Sequence, residues 1–179
     1  MSIKSLGKQS LVYGIGHILA RLVTFLLLPL YTNVFTTSEY GVVALFYTFL
    51  SFMNVIMRYG LGAAFLKFYV PASDSERNAI FTNVIASLFL TGIPFFLVWH
   101  GFRNLISPII LGVNEPSFIS IMGIIIVLDT IWSIPLLGFR AENRPVLFTI
   151  FSLLNVGITI GLNLFLILKM HMGIRAIFL

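Results

Sequence analysis

The sequence predicts an all-α fold, a polytopic bundle of transmembrane helices, and three observations carry that expectation: composition, the length of the apolar stretches, and where the basic residues fall. Of 179 residues, 59% are apolar and 9% charged, with a mean hydropathy of +1.04. A soluble domain has roughly 45–50% apolar and about 25% charged residues. A helix crossing a hydrocarbon core about 30 Å thick needs about 20 residues. Apolar stretches long enough to cross occupy residues 11–31, 40–64, 79–99, 118–139 and 146–168, and a further apolar segment starts at 173–179. The expectation is one transmembrane domain over 1–179, with five spans and the start of a sixth.

Each element has local support. Lys4 and Lys8 precede the first stretch as in a signal peptide, but that stretch is too long, carries Arg21 at its centre and lacks a small-residue cleavage site, so it reads as a retained span. Thr36 and Glu39 stand at capping-box spacing before the second. The Pro71 to Asp74 run breaks the chain before the third, and Asn114, Glu115 and Pro116 precede the fourth. Pro29, Pro94 and Pro135 sit inside or near the ends of apolar runs, where lipid-embedded helices tolerate kinks. The final segment is too short to cross, so the chain reads as a fragment of a larger protein, the alternative being a short interfacial tail.

Charge sets an orientation and excludes several classes. With the N-terminus inside, Lys4, Lys8, Lys67, Arg77, Arg140 and Arg144 are cytoplasmic, while the outer loops hold Arg103 and Lys169. The net charge is +5, but the basic residues are scattered without a run, which argues against nucleic acid as a partner. With no cysteine there is neither a disulfide framework nor thiol chemistry. No HExxH, GxSxG, phosphate loop or clustered metal ligands appear, and His17, His100 and His171 lie on different segments. Neither an enzyme, nor a cofactor, nor a metal site is expected.

Ionisable side chains at membrane depth cost about 2.5–3.5 kcal/mol on insertion scales and gather at bundle interiors or aqueous cavities. Arg21 and Asp129 both fall about 15 Å along their spans, near the midplane. They can form a buried ion pair, or they can serve a substrate or proton. Arg58, closer to the inner end of its span, can also snorkel to lipid headgroups. In the fifth span Ser152, Asn155, Thr159 and Asn163 share one face, with Gly157 and Gly161 nearly opposite at a GxxxG spacing that permits close helix approach. Similar rows are His17, Arg21 and Thr24; Ser51, Asn54 and Arg58; and Asn83, Ser87 and Thr91. Rows on four of five spans favour a water-accessible cleft over packing alone.

Several junctions resemble one family in succession. Leu-Leu-Pro-Leu-Tyr at 27–31, followed by Thr37, Ser38, Glu39, Tyr40 and Gly41, resembles the "P-L-x-T … E-Y-G" junction of the polysaccharide and oligosaccharide (O-antigen type) flippases of the MATE-like transporter superfamily. Gly60 to Ala64 with Lys67, Phe68 and Tyr69 resembles that family's "G-L-x-x-A-x-x-R-F/Y", with lysine in place of arginine. Phe139 to Pro145 resembles "F-R-A-x-x-R/K-P", and Gly173 with Ala176 resembles "G-x-x-G-A", with Arg175 at its second glycine. The resemblance implies an incomplete N-terminal lobe that needs a C-terminal lobe of the same protein. It also implies a multi-pass protein of the cytoplasmic (inner) membrane, moving lipid-linked glycan by alternating access among membrane lipids. On that basis Arg21, Arg58, Asn155 and Thr159 are candidate substrate-binding residues, and Asp129 serves coupling or an ion pair. Two readings compete: a cation-coupled multidrug exporter of the same superfamily, and a non-transporting membrane fragment or scaffold. Two intramembrane arginines against one aspartate favour an anionic substrate.

Overall fold

The computed structural model describes residues 31, 33–170 and 172–178. Among them the helices are α1 (Thr37–Arg58), α2 (Leu61–Tyr69), α3 (Asp74–Gly101), α4 (Arg103–Leu111), α5 (Pro116–Ala141), α6 (Pro145–Leu168) and α7 (Arg175–Phe178), and there is no strand. The protein is therefore an all-α bundle, and α1, α3, α5 and α6 are each long and apolar enough to cross a membrane. The expected span at 11–31 lies outside the described residues except for Tyr31, and so do His17, Arg21 and Thr24.

The helix ends follow from local chemistry. At the start of α1 the Thr36 N–H and hydroxyl both donate to Glu39 Oε2 at 2.9 Å, and the Glu39 N–H donates back to Thr36 Oγ1 at 3.3 Å. This reciprocal box satisfies donors that the first helical turn leaves open. The same device opens α3, where the Ser73 N–H and hydroxyl donate to Glu76 Oε2 at 2.8 and 2.6 Å. Pro145 takes the first turn of α6, where its missing N–H costs nothing. Between α1 and α2 the helix is interrupted by two residues of positive φ, Tyr59 (φ 29°) and Gly60 (φ 82°). The apolar run at 40–64 is thus divided, with α1 ending at Arg58. Helix α4 falls in the stretch between expected spans, and its nine residues are too few to cross.

The described residues fall into two compact units, one that includes 33–40 and 142–177, the other 41–141 with Phe178. In the larger unit α3 packs on α5, α2 lies against both, and α4 lies against α5. One end of this unit is centred on Phe65, Tyr69, Leu88 and Ile134. Arg77 closes that end, since its guanidinium donates to the Tyr69 and Val70 carbonyls at 3.2 and 3.3 Å and meets Asp74 at 3.3 Å. The other end is aromatic. Trp99 stacks with Phe95 and Phe49 at 5.5 Å, and its indole N–H donates to the Ile119 carbonyl at 2.8 Å. Phe178 stacks on Phe46 at 4.0 Å and meets Phe118 edge-on at 4.7 Å.

Glycine decides how closely α3 and α5 approach. A Cβ on Gly123 would lie 2.7 Å from Trp99 Cδ1, and one on Gly92 would lie 3.1 Å from Val127 Cγ1. By contrast, a Cβ on Gly157 or Gly161 meets no heavy atom of the described residues within 4 Å. Many large apolar side chains stand exposed, among them Val55, Leu90, Ile109 and Ile158. That surface suits hydrocarbon, where burial inside the protein is not needed to keep apolar groups from water.

Candidate functional site: an intramembrane polar cluster

The larger unit carries its polar chemistry on α1, α3 and α5. Asp129 lies half-way along the twenty-six residues of α5, and Asn54 of α1 faces it. The Asn54 amide donates to Asp129 Oδ2 at 3.4 Å, while Thr130 Oγ1 lies 3.4 Å from Asn54 Oδ1. These contacts assign the amide, because an ionised carboxylate only accepts and so the NH2 must face Asp129. Thr130, at 3% exposed, has one hydroxyl proton to give, and the Ile126 carbonyl at 2.7 Å is the nearer of its two acceptors, Asn54 Oδ1 the alternative. Both contacts of Asn54 are long, near the limit for a hydrogen bond, so the amide bridges two helices without clamping them.

Arg58 follows Asn54 by one helical turn on the same face of α1 and exerts an attractive charge interaction on Asp129. Its side chain remains exposed, and Asp129 is half-buried. The carboxylate thus has an amide in contact and a guanidinium nearby, while the guanidinium keeps room for a further anion. The expected partner for Asp129, Arg21, lies outside the described residues. Asn54 is the member whose importance the sequence understated: it stood in the Ser51, Asn54 and Arg58 row, one turn from an arginine.

A second polar row runs along α3. The Ser87 hydroxyl donates to the Asn83 carbonyl at 2.8 Å, and the Thr91 hydroxyl donates to the Ser87 carbonyl at 3.0 Å. Thr91 Oγ1 also meets the Tyr59 hydroxyl at 3.4 Å, next in sequence to Arg58. At the other end of α3, His100 Nδ1 and Ser120 Oγ are 3.0 Å apart.

In the smaller unit, α6 carries the predicted row. Thr159 Oγ1 donates to Asn155 Oδ1 at 3.4 Å, and the Asn163 amide donates to the Thr159 carbonyl at 2.8 Å. The Tyr31 hydroxyl donates to Asn163 Oδ1 at 3.4 Å. Asn155 and Thr159 are exposed, whereas Asn163 is 3% exposed. A membrane helix with exposed polar groups on one face requires water or polar protein against that face.

Among the described residues no group of histidine and carboxylate side chains could hold a metal ion. What the fold and these rows define is an integral membrane helix bundle with ordered polar faces on its spans. The chain belongs to the family described as polysaccharide biosynthesis protein, whose model matches residues 6–178. That membership gives it a polysaccharide-related transport role, in a family of transporters rather than enzymes. No curated protein and no solved structure matches the chain.

Proposed function

We propose that the chain is one lobe of a flippase that carries lipid-linked oligosaccharide or polysaccharide precursors across the cytoplasmic membrane by alternating access. The observation that carries this reading is the intramembrane cluster of Arg58, Asn54, Asp129 and Thr130. A phosphorylated headgroup needs a cation at depth, and Arg58 supplies one whose fork geometry matches phosphate oxygens. Asp129 restrains that cation when the site is empty and exchanges it for substrate or for a coupling cation. Arg21, outside the described residues, is a further candidate for the headgroup, and Asn155 and Thr159 of the smaller unit are candidates for hydrogen bonds to sugar hydroxyls. The lipid tail stays in the bilayer while the head moves through the cleft, which is closed by a second lobe of like build. The excess of Lys4, Lys8, Lys67, Arg77, Arg140 and Arg144 over Arg103 and Lys169 supports a cytoplasmic N-terminus.

Complementation in cells whose own flippase is deleted tests the reading, with surface glycan as the readout. Arg58→Gln and Asp129→Asn are expected to reduce glycan export at least about tenfold at equal membrane abundance, the effect of losing one charge-assisted contact. Wild-type export in both variants would overturn it. Resistance to cationic drugs conferred by the parent gene and lost in Asp129→Asn would instead favour the drug-exporter reading.

A further inference from the structure

The connection between α3 and α5, residues 102–115, carries α4 and a row of large apolar side chains turned away from the protein. Phe102, Leu105 and Ile109 are 58, 61 and 73% exposed, and Leu105 and Ile109, one turn apart, share a face of α4. The opposite face is occupied. Ser107 and Leu111 are buried there, and the Ser107 hydroxyl ties α4 to the chain entering α5 through the Val113 carbonyl and the Glu115 N–H. We propose that α4 is an in-plane helix of the membrane surface, with Phe102, Leu105 and Ile109 seated among the upper acyl chains of one leaflet and Arg103 on phospholipid phosphate. The proposal requires only that α3 and α5 cross the bilayer, so it stands apart from the flippase reading.

Helix length sets the depth. The twenty-eight residues of α3 span about 42 Å at 1.5 Å per residue. A hydrocarbon core is about 30 Å thick, and about 40–45 Å with its headgroup layers. A helix that starts at the exposed Asp74 in one headgroup layer therefore ends at Gly101 in the other, and α5 leaves from that same layer at Pro116. Helix α4 is thereby confined to the boundary between headgroups and acyl chains, where amphipathic helices bury an apolar face about 5–10 Å deep. Ile93, Leu97 and Val98 are exposed on the last turns of α3, so apolar surface extends along the chain from that span onto α4.

Two observations select lipid over protein as the occupant. A specific protein interface takes about 20–30 residues a side, whereas α4 offers a stripe of three large side chains. Lipid at this depth needs no such area. Arg103, at the start of α4, makes no ion pair among the described residues, and one of its nitrogens donates to the His100 carbonyl at 2.9 Å. Its remaining N–H donors suit phosphate oxygens, while its methylene stem suits acyl chains.

The test uses the absence of native cysteine. A bimane dye is placed on Leu105→Cys or Ile109→Cys, with Ser75→Cys as the water reference and Leu90→Cys, within α3, as the hydrocarbon reference. The full chain is reconstituted into vesicles of phosphatidylglycerol and phosphatidylethanolamine. Acrylamide, a neutral quencher, reports water, and a nitroxide near the top of the phospholipid acyl chains reports shallow lipid. At both α4 sites the nitroxide is expected to quench roughly two- to fivefold more than at Ser75→Cys, and acrylamide less by a similar factor, as for a helix about 5–10 Å deep. Arg103→Glu should raise acrylamide quenching at Ile109→Cys about twofold, since a carboxylate is repelled where a guanidinium was attracted, and Arg103→Lys should not. Acrylamide quenching at both α4 sites equal to that at Ser75→Cys would put the helix in water and overturn the proposal. Shielding of both sites from acrylamide and nitroxide alike would show a protein occupant, a second copy or another segment, and overturns it as well. Parent-like quenching in Arg103→Glu would overturn the phosphate contact. Depth is read without transport, so a negative result here leaves the export test of Arg58 standing.

Discussion

Adding one methyl group at Gly123 probes how α3 and α5 hold together. In Gly123→Ala the new Cβ would lie 2.7 Å from Trp99 Cδ1, 3.2 Å from Phe96 Cδ2 and 3.5 Å from Trp99 Cγ. Carbon atoms rest about 3.5–4.0 Å apart, so one side must move by about 1 Å. Trp99 resists, because its N–H is bonded to the Ile119 carbonyl at 2.8 Å and its ring is stacked on Phe49 and Phe95. Overpacking of this kind costs about 1–3 kcal/mol, and alanine's higher helix propensity returns up to about 1 kcal/mol. A net loss of about 1–2 kcal/mol lowers the melting temperature by about 2–8 °C at this chain length. The assay is thermal unfolding in detergent followed by gel filtration. Gly138→Ala on the same helix is the control, since a Cβ there meets no heavy atom of the described residues within 4 Å. If Gly123→Ala melts with the parent, or no lower than Gly138→Ala, the close-approach argument is wrong.

Two further substitutions address the connections between helices. Ser107 is fully buried, donating to the Val113 carbonyl at 2.8 Å and accepting from the Glu115 N–H at 2.8 Å. Ser107→Ala removes both contacts, and a loss of about 1–3 kcal/mol is expected, with faster amide exchange at Glu115. Gly60→Ala meets no steric obstacle among the described residues but must hold φ at 82°, a left-handed conformation costing about 1–2 kcal/mol. Its melting temperature should fall, and unchanged stability would mean that the turn relaxes without cost.

The bilayer explains why the helical class was legible from composition. A crossing helix must be long and apolar whatever it packs against, so α3, α5 and α6 stood out as long apolar runs. Capping chemistry is equally local, and Thr36 with Glu39 announced the start of α1 by spacing alone. Tertiary structure decided the partners. Depth marked Asp129 as a residue in need of polar company, but depth does not say which helix is adjacent or how it is rotated, and among the described residues the contact is with Asn54. The GxxxG of α6 was the visible packing signal, and among the described glycines the tightest approach is at Gly123. That contact needs the indole of Trp99 from α3, which no pattern within α5 could have predicted. Helix α4 passed as a loop because nine residues carry too little periodicity to separate them from one. What the residues determined alone was each segment's solvent and its ends. Which side chains meet depended on helix rotation and adjacency, properties of the packed bundle that no single segment encodes.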